Sequence, residues 1–286
     1  MRLLAPWLQD KDTDPAVVCV DDGGRFAVAV LSGHRGGANA LAKRVADALG
    51  ACPVITTASE ADGVLAVDLL GADAGWRIEA TPAALRHAAG AVVNGDPVGV
   101  YQDTGDTSWL TATNVPANVR VLSDLSPRAD MAALLVITDR VIDPPSRPEC
   151  TVVYRPPTLV AGVGCSRGAT ADDIATVVEQ ALAQGGLARA SLARLATLDR
   201  RLDEPGVVEF AHRSGLPLAG YAAELLAGVA AVPNPSAVVQ AAVGTPGVCE
   251  PAALLASGAT MLLVPKVKTA RATAAIARIV PGAARE

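Results

Sequence analysis

The feature that most constrains this chain is a recurring unit: a short apolar run, a glycine-rich turn, then a segment with helical spacing. FAVAVL (Phe26–Leu31) leads into SGHRGG and then ANALAKRVADALG, where Leu41, Val45, Ala48 and Leu49 share a face and Gly50 ends the helix. TLVAGVG (Thr158–Gly164) leads in the same way into CSRG and a helix over Thr170–Gln184. Runs this short, rich in branched side chains and bounded by glycine, read as buried strands rather than helices. AVVCV (Ala16–Val20) and FAVAVL flank Asp21-Asp22-Gly23-Gly24, a hairpin-type turn, and CPVITT is a further strand. Strand and helix in alternation imply an α/β fold in which helices cover a largely parallel sheet.

The length of 286 residues suggests about two domains. The spacing predicts an N-terminal α/β domain over 1–70, a small β-rich middle insert with α+β character over 71–157, and a C-terminal α/β domain over 158–286 with a mainly parallel sheet. In the middle stretch Thr81-Pro82 is an N-cap followed by Pro at the first helical position, and the helix runs through Val93. The short apolar runs VGVY, SWLTAT, VRVLS and AALLVIT follow, and Asp143-Pro144-Pro145-Ser146-Arg147-Pro148 closes the segment. In the last stretch LARLAT, LPLAGY and TMLLVP read as strands, with helices near 205–213, 222–229 and 251–257. Leu3, Leu4, Trp7 and Leu8 are spaced as one helix face, which predicts more sheet ahead of Met1 and an incomplete first domain.

Composition narrows the function classes. Apolar residues make up 51 % of the chain and aromatics only 3 %, so the cores must be built from Ala, Val, Leu and Ile. The net charge of −5 comes without a basic stripe, which argues against a nucleic-acid partner. The longest apolar segment near the C-terminus, Pro251–Pro265, is too short and too rich in Gly and Pro to span a bilayer. Five cysteines without a CxxC pair fit a reducing cytoplasm, with no disulfide framework and no zinc site.

Four loops carry groups with chemical potential. GVGCSRGAT places Gly164, Cys165, Arg167 and Gly168 in a strand-to-helix turn that can offer backbone N–H groups to an anion. Its glycine spacing fits neither a dinucleotide fingerprint nor a Walker loop, and the alternative is a tight turn with no ligand. Cys165 is either a small packing residue or, if its thiol is acidified at a helix start, a reactive one. LSGHRGGAN gathers Ser32, Gly33, His34, Gly36, Gly37 and Asn39; the imidazole suits acid–base work, and the alternative is a structural cap. TLDRRLDEPG brings Asp199, Glu204 and Arg201 together after a strand, either as base and anion clamp or as a charged helix start. VGTPGVCEPAALLASG sets Glu250 at a helix N-terminus as cap or ligand, and Lys266 follows the next strand. His87 and His212 sit on helices without polar company and read as structural.

Taken in order, LSGH, GGAN-LA, PVITT, GVGC-RG, LAT-D-R--DEPG, VG-PGVCEPAALLA-G and LLVPK resemble the cobalt-precorrin-5A hydrolase family of cobalamin biosynthesis from about residue 2 to about residue 280. The resemblance implies hydrolytic opening of the δ-lactone of cobalt-precorrin-5A, with release of acetaldehyde, to give cobalt-precorrin-5B. It implies His34, Asp199, Glu204 and Glu250 as acid–base groups. It implies Ser32, Gly33, Gly36, Gly37, Asn39, Thr56, Thr57, Gly164, Cys165, Arg167, Gly168, Arg201 and Lys266 as contacts of a corrinoid substrate between the first and last domains. No resident cofactor or protein-bound metal is implied, because cobalt arrives with the substrate. Neighbouring enzymes of the pathway are the expected protein partners, and no membrane or nucleic acid is expected. The rival reading is a carrier that binds corrin intermediates without turnover. Family members carry a strand–helix segment before the position of Met1, in line with the incomplete first domain.

Overall fold

The computed structural model describes residues 4–8, 14–33, 36–55, 65–112, 115–126, 129–142, 148–229 and 232–281. Its strands form three separate sheets. In the first, β1 (Val17–Val20) and β2 (Phe26–Leu31) are antiparallel, and after α1 (Ala38–Leu49) the short β3 (Cys52–Val54) joins β2 in parallel. The hairpin turn closes because the Asp21 carboxylate accepts the Arg25 N–H (2.6 Å) and the Phe26 N–H (2.7 Å). Alternation along β2 follows from one-sided cover: Ala27 and Ala29 are buried beside Ala38 and Ala42 of α1, whereas Phe26 and Val30 face outward. The apolar set near the N-terminus does not form the expected helix face. It is a single 3-10 turn, Ala5–Trp7, with Trp7 exposed.

The middle sheet contains β4 (Arg77–Glu79), β5 (Val98–Gln102), β6 (Val119–Leu122), β7 (Ala133–Ile137) and β8 (Thr151–Arg155), in the order β4-β8-β7-β5-β6. All but β4 run parallel, and the buried stretches of β7 and β8 read as near-continuous apolar runs. Helix α2 (Pro82–Asn94) has the expected cap: the Thr81 hydroxyl accepts the Ala84 N–H at 3.1 Å. SWLTAT is not a strand; Trp109–Ala112 forms a helical turn, α3, because the indole N–H donates to Gln102 at 2.9 Å and folds the segment back on β5. Leu65, Val67 and Leu70, which precede the expected boundary at 70/71, pack in the core of this sheet, and Val67 accepts the Tyr154 hydroxyl at 2.7 Å.

The last sheet is built from β9 (Leu159–Cys165), α4 (Ala171–Gly185), β10 (Leu192–Leu198), α5 (Pro205–Ser214), β11 (Leu218–Tyr221), α6 (Ala223–Ala227), α7 (Ala237–Val243), α8 (Cys249–Ser257), β12 (Val264–Lys268) and β13 (Ala272–Arg278). The order is β11-β10-β9-β13-β12. The parallel strands expected here are β9, β10 and β11, while β13 runs antiparallel to both β9 and β12. Helices α4 and α5 cover one face through Ile174, Val177, Val178, Val207 and Phe210. Helix α8 covers the other, and Gly162 makes that approach possible: a Cβ there would stand 1.9 Å from the Cys249 carbonyl oxygen.

Middle and last sheets are locked together. In the order β4-β8-β7-β5-β6 the crevice where such sheets hold ligands lies beyond the ends of β5 and β7. Here the loop after β7 is docked on the last domain. Ala188 donates to the Asp139 carbonyl and Val141 donates to the Gly186 carbonyl, both at 2.7 Å. The fully buried Asp139 carboxylate accepts both Nε and Nη2 of Arg278 at 2.7 Å and the Thr158 hydroxyl at 2.8 Å. This end of the middle sheet is thus occupied by the domain contact.

Candidate functional site

The opposite end of the last sheet is open. Ala196 pairs with Gly162 and Leu198 with Tyr221, so β9, β10 and β11 finish level with one another. β13 starts at Ala272 opposite Cys165, and β12 ends at Lys268 opposite Thr273. The loops 166–170, 199–204 and 269–271 therefore meet along one edge, the carboxyl end of the parallel strands, where α/β sheets bind ligands. This edge assembles Cys165, Arg167, Gly168, Asp199, Arg201 and Glu204, which lie apart in the sequence.

On the side covered by α4 and α5, Glu204 is the centre of a small network. It is buried, its Oε1 accepts the Gly168 N–H at 2.6 Å, and its Oε2 accepts Arg201 Nη1 at 2.9 Å. The approach is close because residue 206 is glycine; a Cβ there would lie 2.0 Å from the Ala169 carbonyl oxygen. Both carboxylate oxygens are thus engaged with the protein, which makes Glu204 a poor proton carrier in this state. The loop itself offers fewer anion contacts than expected. Ser166 N–H donates to Arg271, Gly168 N–H to Glu204, Ala169 N–H to Ser166 and Thr170 N–H to Asp173. Thr170 and Asp173 form a capping box on α4. Of the two readings of Cys165, the geometry favours the packing residue: it ends β9 ahead of the loop rather than starting the helix. Burial pushes its thiol up, against a lowering by Arg201, with Glu204 adding to the rise.

On the α8 side, Glu250 is almost fully buried. Its Oε1 accepts Asn234 Nδ2 (2.8 Å) and the Lys266 N–H (2.9 Å), and its Oε2 accepts the Asn234 N–H (3.1 Å). The Lys266 ammonium donates to the Asn234 carbonyl at 2.5 Å. Glu250 thus ties the 234 loop to the start of α8 and to β12, and Lys266 belongs to the same tie. Beside it Cys249 opens α8, yet burial pushes its thiol up to about 11, with the hydrogen bond to Thr273 working the other way.

The groups left available at the edge are few. Asp199 is exposed and its carboxylate accepts only the neighbouring Arg200 N–H (2.6 Å) among the described residues. Arg167 and Arg200 are exposed, with no side-chain partner among the described residues. Gly164 lies in β9 and backs onto Val248 of the α8 approach. No group of three or more His, Cys, Asp or Glu among the described residues is arranged to hold a metal ion, and none of their helices is long and apolar enough to cross a membrane.

In the first domain the described ends of the loop, Ser32–Gly33 and Gly36–Gly37, meet the start of α1. The Ser32 carbonyl accepts the Ala38 N–H (3.1 Å), the Gly33 carbonyl accepts the Asn39 N–H (3.0 Å), and the Ser32 hydroxyl donates to the Asp14 carbonyl (2.8 Å). Ser32 itself has φ 56°, a left-handed backbone that non-glycine residues rarely adopt. The N-cap is Gly37, not Ser32 or Asn39, and Gly36 packs against Ser32. Asn39 is buried at the base of the loop. His34, Thr56 and Thr57 lie outside the described residues. His87 bonds the Ala132 carbonyl at 3.1 Å, as a structural histidine does. Arg271 and Asn234, which shape the edge, carried no motif signal, since each acts on a partner far along the chain.

A strand edge framed by glycine turns, with the exposed guanidinium groups of Arg167 and Arg200 beside the exposed carboxylates of Asp199 and Asp203, defines an α/β protein with groups that can hold an anionic ligand and move a proton. The family models for the cobalamin synthesis G N-terminal region, the cobalamin biosynthesis central region and the cobalamin synthesis G C-terminus match residues 1–60, 65–156 and 159–277. The chain is 39 % identical to the cobalt-precorrin-5A hydrolase of Priestia megaterium over 98 % of its own length and 75 % of that protein's. It is 32 % identical to the cobalt-precorrin-5A hydrolase of Salmonella typhimurium, covering 92 % of this chain and 74 % of that one. The crystal structure of CobE, a protein from the cobalamin biosynthetic pathway, overlays 43 % of this chain and 92 % of its own at 34 % identity and a TM-score of 0.41. The chain belongs to the cobalt-precorrin-5A hydrolase family of cobalamin biosynthesis proteins.

Proposed function

We propose that this chain hydrolyses cobalt-precorrin-5A, opening its δ-lactone and releasing acetaldehyde to give cobalt-precorrin-5B. The observation that carries the reading is the 39 % identity to a cobalt-precorrin-5A hydrolase over 98 % of the chain. The open edge of the last sheet supports it chemically. The substrate is a macrocycle with many carboxylate side chains, and Arg167 and Arg200 are unpaired guanidinium groups suited to them. Lactone opening needs an activated water, and acetaldehyde release needs a base for a hydroxyl proton as the C–C bond breaks. Asp199, exposed at the end of β10, is the first candidate to take that proton, and His34 is the second. Glu204 and Glu250 serve as supports, because their oxygens are held by the protein. The first-domain loop that carries His34 is the candidate contribution of the first domain to the same substrate. Cobalt enters with the substrate, and no resident cofactor is assigned. Five free thiols fit a cytoplasmic setting, and enzymes that make the substrate and consume the product are the expected partners.

The test is incubation with cobalt-precorrin-5A in a coupled aldehyde assay. Stoichiometric acetaldehyde supports the hydrolase. Tight corrinoid binding without aldehyde replaces it with the carrier reading.

A further inference from the structure

The loop after β9 is held through both backbone groups of one residue. Gly168 has φ 72°. Its N–H donates to the buried Glu204 carboxylate at 2.6 Å, and its carbonyl accepts Arg271 Nη2 at 2.7 Å. Arg271 grips the loop twice more: its own carbonyl accepts the Ser166 N–H at 2.9 Å, and its guanidinium reaches the Arg167 carbonyl at 3.5 Å. Burying a carboxylate is costly unless charge and hydrogen bonds answer it. Glu204 has both, from Gly168 and from Arg201. The result is a loop in which Ser166, Gly168, Ala169 and Thr170 are all tied down through their N–H groups. Arg167 stands exposed in its middle, with neither its N–H nor its guanidinium partnered among the described residues.

We infer that Glu204 and Arg271 are positioning residues, a two-sided clamp on Gly168 that presents the N–H and guanidinium of Arg167 to a carboxylate of the substrate. The inference rests on the proposed function for the identity of that carboxylate. Its local part, the clamp, stands on geometry alone. A group held within a narrow range by rigid neighbours binds without a large ordering cost, which is what such a clamp supplies.

The test compares Glu204→Gln, Glu204→Ala, Arg271→Ala and Arg167→Ala in the full chain. Three quantities are read: amide hydrogen exchange over 165–170, corrinoid affinity from the substrate's own absorbance, and kcat and KM for acetaldehyde release. Glu204→Gln keeps an oxygen for the Gly168 N–H, so exchange should change by less than about 3-fold and the pH profile of kcat should keep its shape. Glu204→Ala and Arg271→Ala should speed exchange by about 10-fold or more and raise KM by about 10-fold, with a smaller effect on kcat. Arg167→Ala should raise KM by a similar factor, about 10-fold, while leaving exchange unchanged. A fall in kcat of about 10²-fold in Glu204→Gln, with loss of one limb of the pH profile, would make Glu204 the proton carrier and overturn the clamp. Unchanged exchange in both alanine variants at the clamp overturns it as well. If the wild-type chain binds corrinoid but releases no acetaldehyde, the hydrolase reading fails while exchange and affinity still decide the clamp. A chain that binds no corrinoid overturns the presentation of Arg167 to the substrate together with the hydrolase reading, and exchange alone then decides the clamp.

Discussion

At the scale of single residues, the edge of the last sheet separates carboxylates that work on the protein from those that face solvent. Glu204 and Glu250 are buried with their oxygens engaged, whereas Asp199 accepts only its neighbour's N–H. Asp199→Asn should therefore lower acetaldehyde release by about 10²-fold or more without loss of folding, as read by steady-state kinetics beside circular dichroism. Full activity in that variant transfers the role to His34. Two thiols make a different point. Burial pushes up both the half-buried Cys165 and the buried Cys249, against a lowering by Arg201 at the first and by the Thr273 hydrogen bond at the second. Cys165→Ala should keep activity within about 2-fold, since a protonated, half-buried thiol is no nucleophile. Cys249 also links stability to pH. Its folded pKa of about 11 lies above the reference 9.0, so between those values the unfolded chain releases a proton that the native chain keeps. Its contribution is whole below about pH 9 and is lost as pH rises towards 11, by up to about 3 kcal/mol. Urea unfolding from pH 8 to 11 should show a steeper alkaline loss in the wild type than in Cys249→Ala; parallel curves would refute the linkage.

At the scale of elements, small residues set how closely helices reach the sheet. Gly162 lets the start of α8 lie on β9, and Gly206 lets α5 reach the loop that precedes α4. Because the obstructing atoms are backbone, Gly162→Ala cannot be relieved by a side-chain rotation. It should cost at least about 2 kcal/mol in denaturant unfolding and lower corrinoid affinity by displacing the Glu250 tie. A loss below about 0.5 kcal/mol would show that α8 shifts freely. The first sheet shows the opposite condition. With α1 on one face only, β2 keeps the alternation of a half-covered strand, and Phe26 and Val30 stay outside. β7, β8 and β9 are sandwiched, so their sequences lose alternation and become continuous apolar runs.

At the scale of the whole molecule, Asp139 joins two sheets that the chain builds in succession. Its carboxylate is fully buried and meets Arg278 twice at 2.7 Å, so removal of the acid leaves a guanidinium short of its partner in a partly buried site. The Asp139 hydrogen bond raises the Arg278 pKa, which holds the guanidinium charged. Asp139→Ala should cost about 3–5 kcal/mol and split thermal unfolding of the middle and last domains into two transitions by calorimetry. A single transition at the wild-type temperature would mean that the backbone bonds to Gly186 and Ala188 hold the domains unaided. The latch also docks the loop after β7 on the last domain, whereas the loops 166–170, 199–204 and 269–271 lie at the far edge of the last sheet.

What the sequence determined by itself was whatever depends on neighbours along the chain. The hairpin at Asp21–Gly24, the Thr81-Pro82 cap, the strand–turn–helix units and the parallel strands of the last domain follow from turn chemistry and from the period of apolar residues, which act over a few positions. The family followed too, because its motifs are local and ordered. Tertiary structure alone decided which polar groups are free. Nothing near Glu204 in the chain shows that Gly168 will take its carboxylate, nor does anything near Glu250 point to Asn234 and Lys266, or near Asp139 to Arg278. A carboxylate's availability depends on desolvation and on donors supplied by other elements, and those are fixed only when the sheets have packed. SWLTAT became a helical turn for the same reason, since Gln102 on β5 holds its tryptophan.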